Sequence, residues 1–157
     1  INGEHGQAHW TPVRYVCRSY GRSALARLYR AADVGLVTPL RDGMNLVAKE
    51  YVAAQDPERP GVLVLSRFAG AAEELSDAVL TNPYDRRGLA ADIRRALEMK
   101  LDDRVSMHQR LLRAVYRNRP AEWAQAFLSE LAGPARVDES GRATFDALST
   151  QVTPIPR

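Results

Sequence analysis

Apolar positions along this chain follow two rhythms. Short aliphatic or β-branched runs recur, and between them apolar residues fall three and four apart. The runs are VRYVC (residues 13–17), VGLVTPL (34–40, broken by Pro39), VLVLS (62–66) and AVLTNP (78–83). Each predicts a strand. VLVLS is apolar on both faces, which predicts a parallel strand covered on both sides. Between the first two runs, Ala24, Leu25, Leu28, Tyr29 and Ala32 recur at helical spacing, with Arg22, Arg27 and Arg30 on the other side. That spacing predicts an amphipathic helix. A second helix is expected over about 44–54, and a short one within FAGAAEEL (68–75). Residues 85–99 carry Leu89, Ile93 and Leu97 four apart, with Asp85 as the expected N-cap. Helical periodicity continues over 102–118 and 121–132, interrupted at Pro120.

The resulting order, β-α-β-α-β-α-β-α-α-α, predicts an α/β fold with a Rossmann-like, doubly wound parallel sheet and helices on both faces. The opening residues 2–12 are rich in Gly, His and Asn and end in Pro, so a loop is expected there. After Gly133-Pro134 the periodicity is lost. The expected organisation is one domain over 1–132 and a disordered tail over 133–157. The chain opens on Ile1 in a loop-like stretch. That beginning predicts a fragment of a longer protein.

Composition narrows the picture only slightly. The 157 residues are 45% hydrophobic and 26% charged, as in ordinary globular domains. The formal net charge is +3, with 22 basic and 19 acidic residues interspersed along the chain. No basic patch points to nucleic acid, and no apolar run is long enough to suggest a membrane span. The single cysteine, Cys17, cannot pair within the chain, so a reducing cytoplasm is the expected location. As the end of a strand, Cys17 is expected to be a small buried hydrophobe.

The candidate chemistry lies in TPLRDGMNLVAKEY (38–51). It follows a strand, turns through Asp42 and Gly43, and opens a helix. In such sheets ligands sit at the carboxyl ends of the strands. A helix start presents unpaired N–H groups, here near Leu46 and Val47, and these with the helix dipole form an anion site. Gly43 lets a ligand approach the main chain. Glu50 falls roughly 6 Å further along the same face, from the rise per residue. That distance suits a pair of sugar hydroxyls beside a phosphate, and Asp42 could hold a second sugar. One acid on each side of a phosphate site matches a nucleotide-sugar. The spacing also permits a plainer reading, in which Glu50 is a solvated helix residue and Asp42 a turn former.

The wider strings decide between these readings. DVGLVTPLRDGMNLVAKEYVAAQ, GVLVLSRFAGAAEEL and NPYD closely resemble the donor-binding half of the trehalose-6-phosphate synthase family, retaining glycosyltransferases built from two Rossmann domains. The similarity runs through most of the chain, to about Leu131, and looks more like the single-function bacterial enzymes than the fused synthase-phosphatases. It implies transfer of glucose from UDP-glucose to glucose 6-phosphate, with no cofactor and no metal. It implies that Asp42 contacts the donor glucose as the catalytic-site acid. The turn and helix start, Gly43, Met44, Asn45, Leu46, Val47, Ala48, Lys49 and Glu50, would bind the donor. Within it the Leu46 and Val47 amides would face the pyrophosphate and Glu50 the ribose. A main-chain carbonyl near Tyr20 would read the uracil. The basic residues that clamp the pyrophosphate, and the acceptor site, would lie upstream of Ile1 in an N-terminal domain. A stand-alone nucleotide-sugar-binding module, or a transferase with another donor or acceptor, are the competing readings. A homo-oligomer is compatible with the sequence, which does not specify one.

The remaining polar residues have plainer expectations. His5 and His9 share a loop without a third ligand, so no metal site is expected. His108 is expected in solvent, as are Arg86 and Arg87. Trp10 is expected to pack the opening loop onto the sheet. Glu73 and Glu74 are expected to serve a helix N-terminus. Trp123, Phe127 and Leu131, four apart, form a packing stripe.

Overall fold

The computed structural model describes residues 1–117, 124–125, 127–129, 136–137 and 143–144. The chain divides into two compact units, Ile1–Val115 and Tyr116–Arg157. In the first, three parallel strands lie in the order β1-β2-β3: β1 (Val34–Val37), β2 (Val62–Ser66) and β3 (Val79–Thr81). The register pairs Val34 with Val62 and Val64 with Val79. Helices α2 (Arg22–Ala31), α3 (Leu46–Ala54), α4 (Ala71–Glu74), α5 (Arg86–Leu97) and α6 (Leu101–Arg117) surround the sheet, after a single helical turn α1 (Asn2–His5).

β2 is the middle strand and is buried along its whole length. Its side chains alternate between two cores, as the strand period requires. Leu63 and Leu65 join Ala48, Tyr51 and Val52 of α3, Leu75, and Leu111 of α6. Val62 and Val64 join Val79 and Ala96 of α5. Helices therefore cover both faces, which is the α/β architecture the sequence predicts. Tyr51 fits because Gly35 and Gly61 lack side chains where its ring lies. Its hydroxyl donates to the Ala32 carbonyl at 3.0 Å, and burial pushes that hydroxyl's pKa up to about 12. Asp85 caps α5 as expected, accepting from the amides of Arg87 and Gly88 at 3.1 and 3.0 Å. Asp85→Ala should lower unfolding stability by about 1 kcal/mol, read as a shift in the denaturation midpoint.

Several expectations are corrected. Residues 13–17 form no strand. A β-branched run becomes a strand only beside a partner, and here both main-chain groups of Val13 bond the Asn2 side chain instead, at 2.8 and 2.9 Å. Cys17 is consequently exposed, not buried. Trp10 is half-exposed, and its main chain pairs with that of Gln7. His108 is buried, and its Nε2 lies 3.0 Å from the Val52 carbonyl. A carbonyl only accepts, so Nε2 carries the proton and pins α6 to the last turn of α3.

β1 is a strand as expected, with Leu36 48% exposed. The strand lies at the edge of this sheet, where one flank has no neighbour among the described residues. The opening residues, expected as a loop, contain the single turn of α1.

In the second unit, β4 (Arg136–Val137) pairs antiparallel with β5 (Ala143–Thr144), and residues 124–125 and 127–129 are helical. Most of the expected tail over 133–157, and Trp123 and Leu131 of the packing stripe, lie outside the described residues. No helix among the described residues is long and apolar enough to cross a membrane.

Candidate functional site

The turn after β1 is stitched to the turn after β2. The Asp42 amide donates to the Phe68 carbonyl at 3.2 Å, and the Gly70 amide donates back to the Asp42 carbonyl at 3.1 Å. The Ala71 amide donates to the Met44 carbonyl at 2.8 Å. Asp42 and Ala69 thereby form a parallel bridge that extends the sheet past its strand ends. The approach leaves no room for a side chain at position 70. A Cβ there would lie 1.9 Å from the Gly43 carbonyl oxygen. Gly43 faces open space on its own Cβ side, with no atom within 4 Å.

Asn45 closes the turn. It is the only non-glycine residue with positive φ among those described, at φ 69. Asparagine tolerates this left-handed region better than most residues. Its Oδ1 accepts from the Ala48 amide at 2.9 Å, capping α3. Its Nδ2 donates to Asp42 Oδ2 at 2.8 Å. The Leu46 and Val47 amides have no partner among the described residues, and both side chains are exposed. These are the unpaired donors of a helix start, and they are open to an anion.

Glu50 is exposed and lines a groove of about 390 Å³ between α2 and α3, with Arg22, Leu25, Ala26, Tyr29, Ala53 and Ala54. Burial, and secondarily the Glu50 carboxylate, raises the pKa of the Tyr29 hydroxyl. Lys49 turns the other way. Its Nζ lies 2.8 Å from Glu74 Oε2, and only 16% of its side chain is exposed. Ala48 is fully buried against the core. Met44 is half-exposed on the turn. Tyr20 lies in the segment before α2, its ring under the Arg18 guanidinium at 4.9 Å. It lines a different pocket, with Arg18, Ala24, Arg27 and Leu28.

Asp42, Gly43 and Asn45 thus lead directly into the first turn of α3, with Glu50 one turn further along that helix. Glu74 bonds Lys49 across 25 residues, rather than simply serving the start of α4. Sequence reasoning missed Gly70, which sets how closely the two turns approach. The run of small residues in FAGAA was its only signal. It also missed the edge-on contact of Phe68 with Tyr84, 5.7 Å between ring centres, which joins the turns after β2 and β3.

A groove of about 1060 Å³ lies between α5 and α6, away from the turns after the strands. Basic and acidic residues share its lining, and Arg95 and Arg110 are paired with Asp92 and Asp77. Arg86 and Arg87 are exposed there or nearby, as expected. No cluster of metal-ligating side chains occurs among the described residues.

Comparison with known proteins points the same way. A family model described as glycosyltransferase family 20 matches residues 1–133. The trehalose-6-phosphate synthase of Cronobacter sakazakii is 52% identical over 154 residues, covering 95% of this chain and 32% of that protein. A solved E. coli structure bound with UDP-2-fluoro glucose matches with a TM-score of 0.81 at 55% identity, over 84% of this chain and 29% of that one. A trehalose-phosphate synthase from Burkholderia xenovorans, in complex with glucose-6-phosphate, matches with a TM-score of 0.81 at 53% identity, over 84% of this chain and 29% of that one. The chain spans about a third of the length of the curated relatives it matches. On the breadth of the family match, and on a fold and turn of this form, this chain belongs to glycosyltransferase family 20.

Proposed function

We propose that this chain is the donor-binding part of a trehalose-6-phosphate synthase. The complete enzyme transfers glucose from UDP-glucose to glucose 6-phosphate, giving trehalose 6-phosphate and UDP with retention of configuration. One observation carries the reading. Within nine residues, an acid, an open glycine, two helix-start amides without a partner among the described residues and a second acid follow one another from the turn after β1 into α3. The same chain is 55% identical to a protein seen with a UDP-glucose analogue.

In this reading the Leu46 and Val47 amides hold the pyrophosphate and Glu50 accepts from the ribose hydroxyls. Asp42 accepts from hydroxyls of the donor glucose. Gly43, Met44 and Asn45 supply the main chain that the sugar approaches, while the Ala48 and Lys49 side chains pack and brace α3. A carbonyl near Tyr20 reads the base. The rest of the protein supplies the cations around the pyrophosphate and the acceptor site, so glucose 6-phosphate binds across the cleft from this surface.

The reaction separates UDP from an oxocarbenium-like glucosyl group. Negative charge grows on the β-phosphate, and preorganised amides stabilise it without reorganising, commonly the largest catalytic contribution. The acceptor hydroxyl attacks from the face the phosphate leaves, and the phosphate oxygen takes its proton. Configuration is retained without a carboxylate nucleophile of the kind retaining glycosidases use.

Full-length protein incubated with UDP-glucose and glucose 6-phosphate should form trehalose 6-phosphate and UDP in equal amounts. Absence of the disaccharide would sink the proposal. Glu50→Ala removes a charged acceptor for two hydroxyls, each such bond contributing about 1.5–3 kcal/mol. It should raise KM for UDP-glucose at least about tenfold. An unchanged KM would remove Glu50 from the ribose site.

A further inference from the structure

We propose that Asn45 is the positioning residue of this site: its side chain ties the Asp42 carboxylate to the first turn of α3, so that acid and free amides act as one rigid unit. The inference rests on the donor-site reading above. It goes beyond it by giving the Asn45 side chain a task other than touching the donor.

Both ends of the Asn45 amide are engaged. Oδ1 holds the Ala48 amide at 2.9 Å, and Nδ2 holds Asp42 Oδ2 at 2.8 Å. The two bonds run in opposite directions through one planar group, so turning the amide to improve one breaks the other. Oδ2 of Asp42 is thereby committed inward, while Oδ1 has no bond among the described residues and is left for a ligand. The residue holds a left-handed backbone, φ 69 and ψ 84, that costs most side chains energy. Glycine would meet that backbone demand more easily but could make neither bond. Asparagine is one of the few residues that meets the backbone demand, the cap and the carboxylate together. The elements around the site carry Arg41, Arg67 and Glu73, and Lys49 and Glu74, which are paired with each other.

The test uses the full-length enzyme and the UDP-glucose-dependent reaction. Asn45→Asp keeps an oxygen to cap Ala48 but sets a second carboxyl where the donor to Asp42 was. The second carboxylate removes the donor to Asp42 and repels it. The expected result for Asn45→Asp is a kcat/KM at least tenfold below wild type, with KM for glucose 6-phosphate unchanged. Asn45→Gly keeps the backbone conformation and loses both bonds, so its kcat/KM should also fall. In an Asp42→Asn background Asn45→Gly should cost little more, because the residue acts through that carboxylate, whereas a purely structural role would add in full. Thermal melts establish that each variant is folded, and either variant alone still tests the idea. Wild-type kcat/KM in Asn45→Asp overturns the proposal. So does full activity in Asn45→Gly, or a loss that adds in full to that of Asp42→Asn. Asp42→Asn, assayed in parallel, separates the two levels. If it retains full activity the donor-site reading itself fails. If it is inactive while Asn45→Asp behaves as wild type, only the positioning role fails.

Discussion

Asp42→Ala is expected to lower kcat/KM of the full-length enzyme by roughly 10²–10⁴. That corresponds to losing two charge-assisted bonds to donor hydroxyls, about 1.5–3 kcal/mol each, most of it felt in the transition state. The fold should survive. Asp42 reaches the neighbouring turn through its main chain, and those two bonds remain when the side chain is removed. Among the described residues its side chain bonds only Asn45. The residual activity should come from a protein with an unmodified mass, because nothing in the front-face route needs a covalent intermediate. Mass spectrometry of the wild-type enzyme under turnover decides this. A glucosyl adduct on Asp42 would replace the proposed route with double displacement.

Gly70→Ala is expected to damage both the fold and the site, although alanine is a modest change. Gly70 has φ −58 and ψ −30, which any residue adopts, so the objection is purely one of space. The added Cβ would lie 1.9 Å from the Gly43 oxygen and 2.9 Å from the Gly43 carbonyl carbon. Both atoms belong to the main chain, so one turn must move. Overpacking of this kind costs about 1–3 kcal/mol, which would show as a drop in Tm. The moving turn carries Asp42, so donor KM should rise with it. Gly43→Ala is the matched comparison. Its Cβ meets nothing within 4 Å, so Tm should hold. If the sugar approaches the main chain there, donor binding should still weaken. Equal Tm for Gly70→Ala and wild type would contradict the steric account.

Most of the fold was legible in the pattern. VLVLS, apolar at every position, is the buried central strand, because a strand covered on both faces needs apolar residues on both. The periodicities over 22–31, 46–54, 86–97 and 101–117 became helices, and Asp85 capped where a capping side chain stood before a helical run. The exceptions share one cause. VRYVC has strand composition, but a ladder needs a neighbour, and the Asn2 side chain, 11 residues away, satisfied Val13 instead. Exposure of Cys17 followed from that. His108 stands among polar residues, and only the position of Val52 on α3, 56 residues away, decides that it is buried.

The same division holds in the site. The order acid, glycine, helix start, acid is a property of consecutive residues, and it pointed to an anion flanked by hydroxyls before any geometry was known. The strings around it also pointed to the family. Local sequence could not say that Asn45 would turn left-handed and bridge Asp42 to the helix, that the Lys49 side chain would pair with Glu74, or that Gly70 would press on Gly43. Each depends on which turn lies beside which. That follows from the parallel register of β1 against β2, set by the two cores that Val62, Leu63, Val64 and Leu65 fill. Periodicity and motif order come from neighbours in the chain, so sequence alone determined them. Burial, partner choice and close approach come from residues the sheet brings together from a distance, so only the tertiary structure decided them.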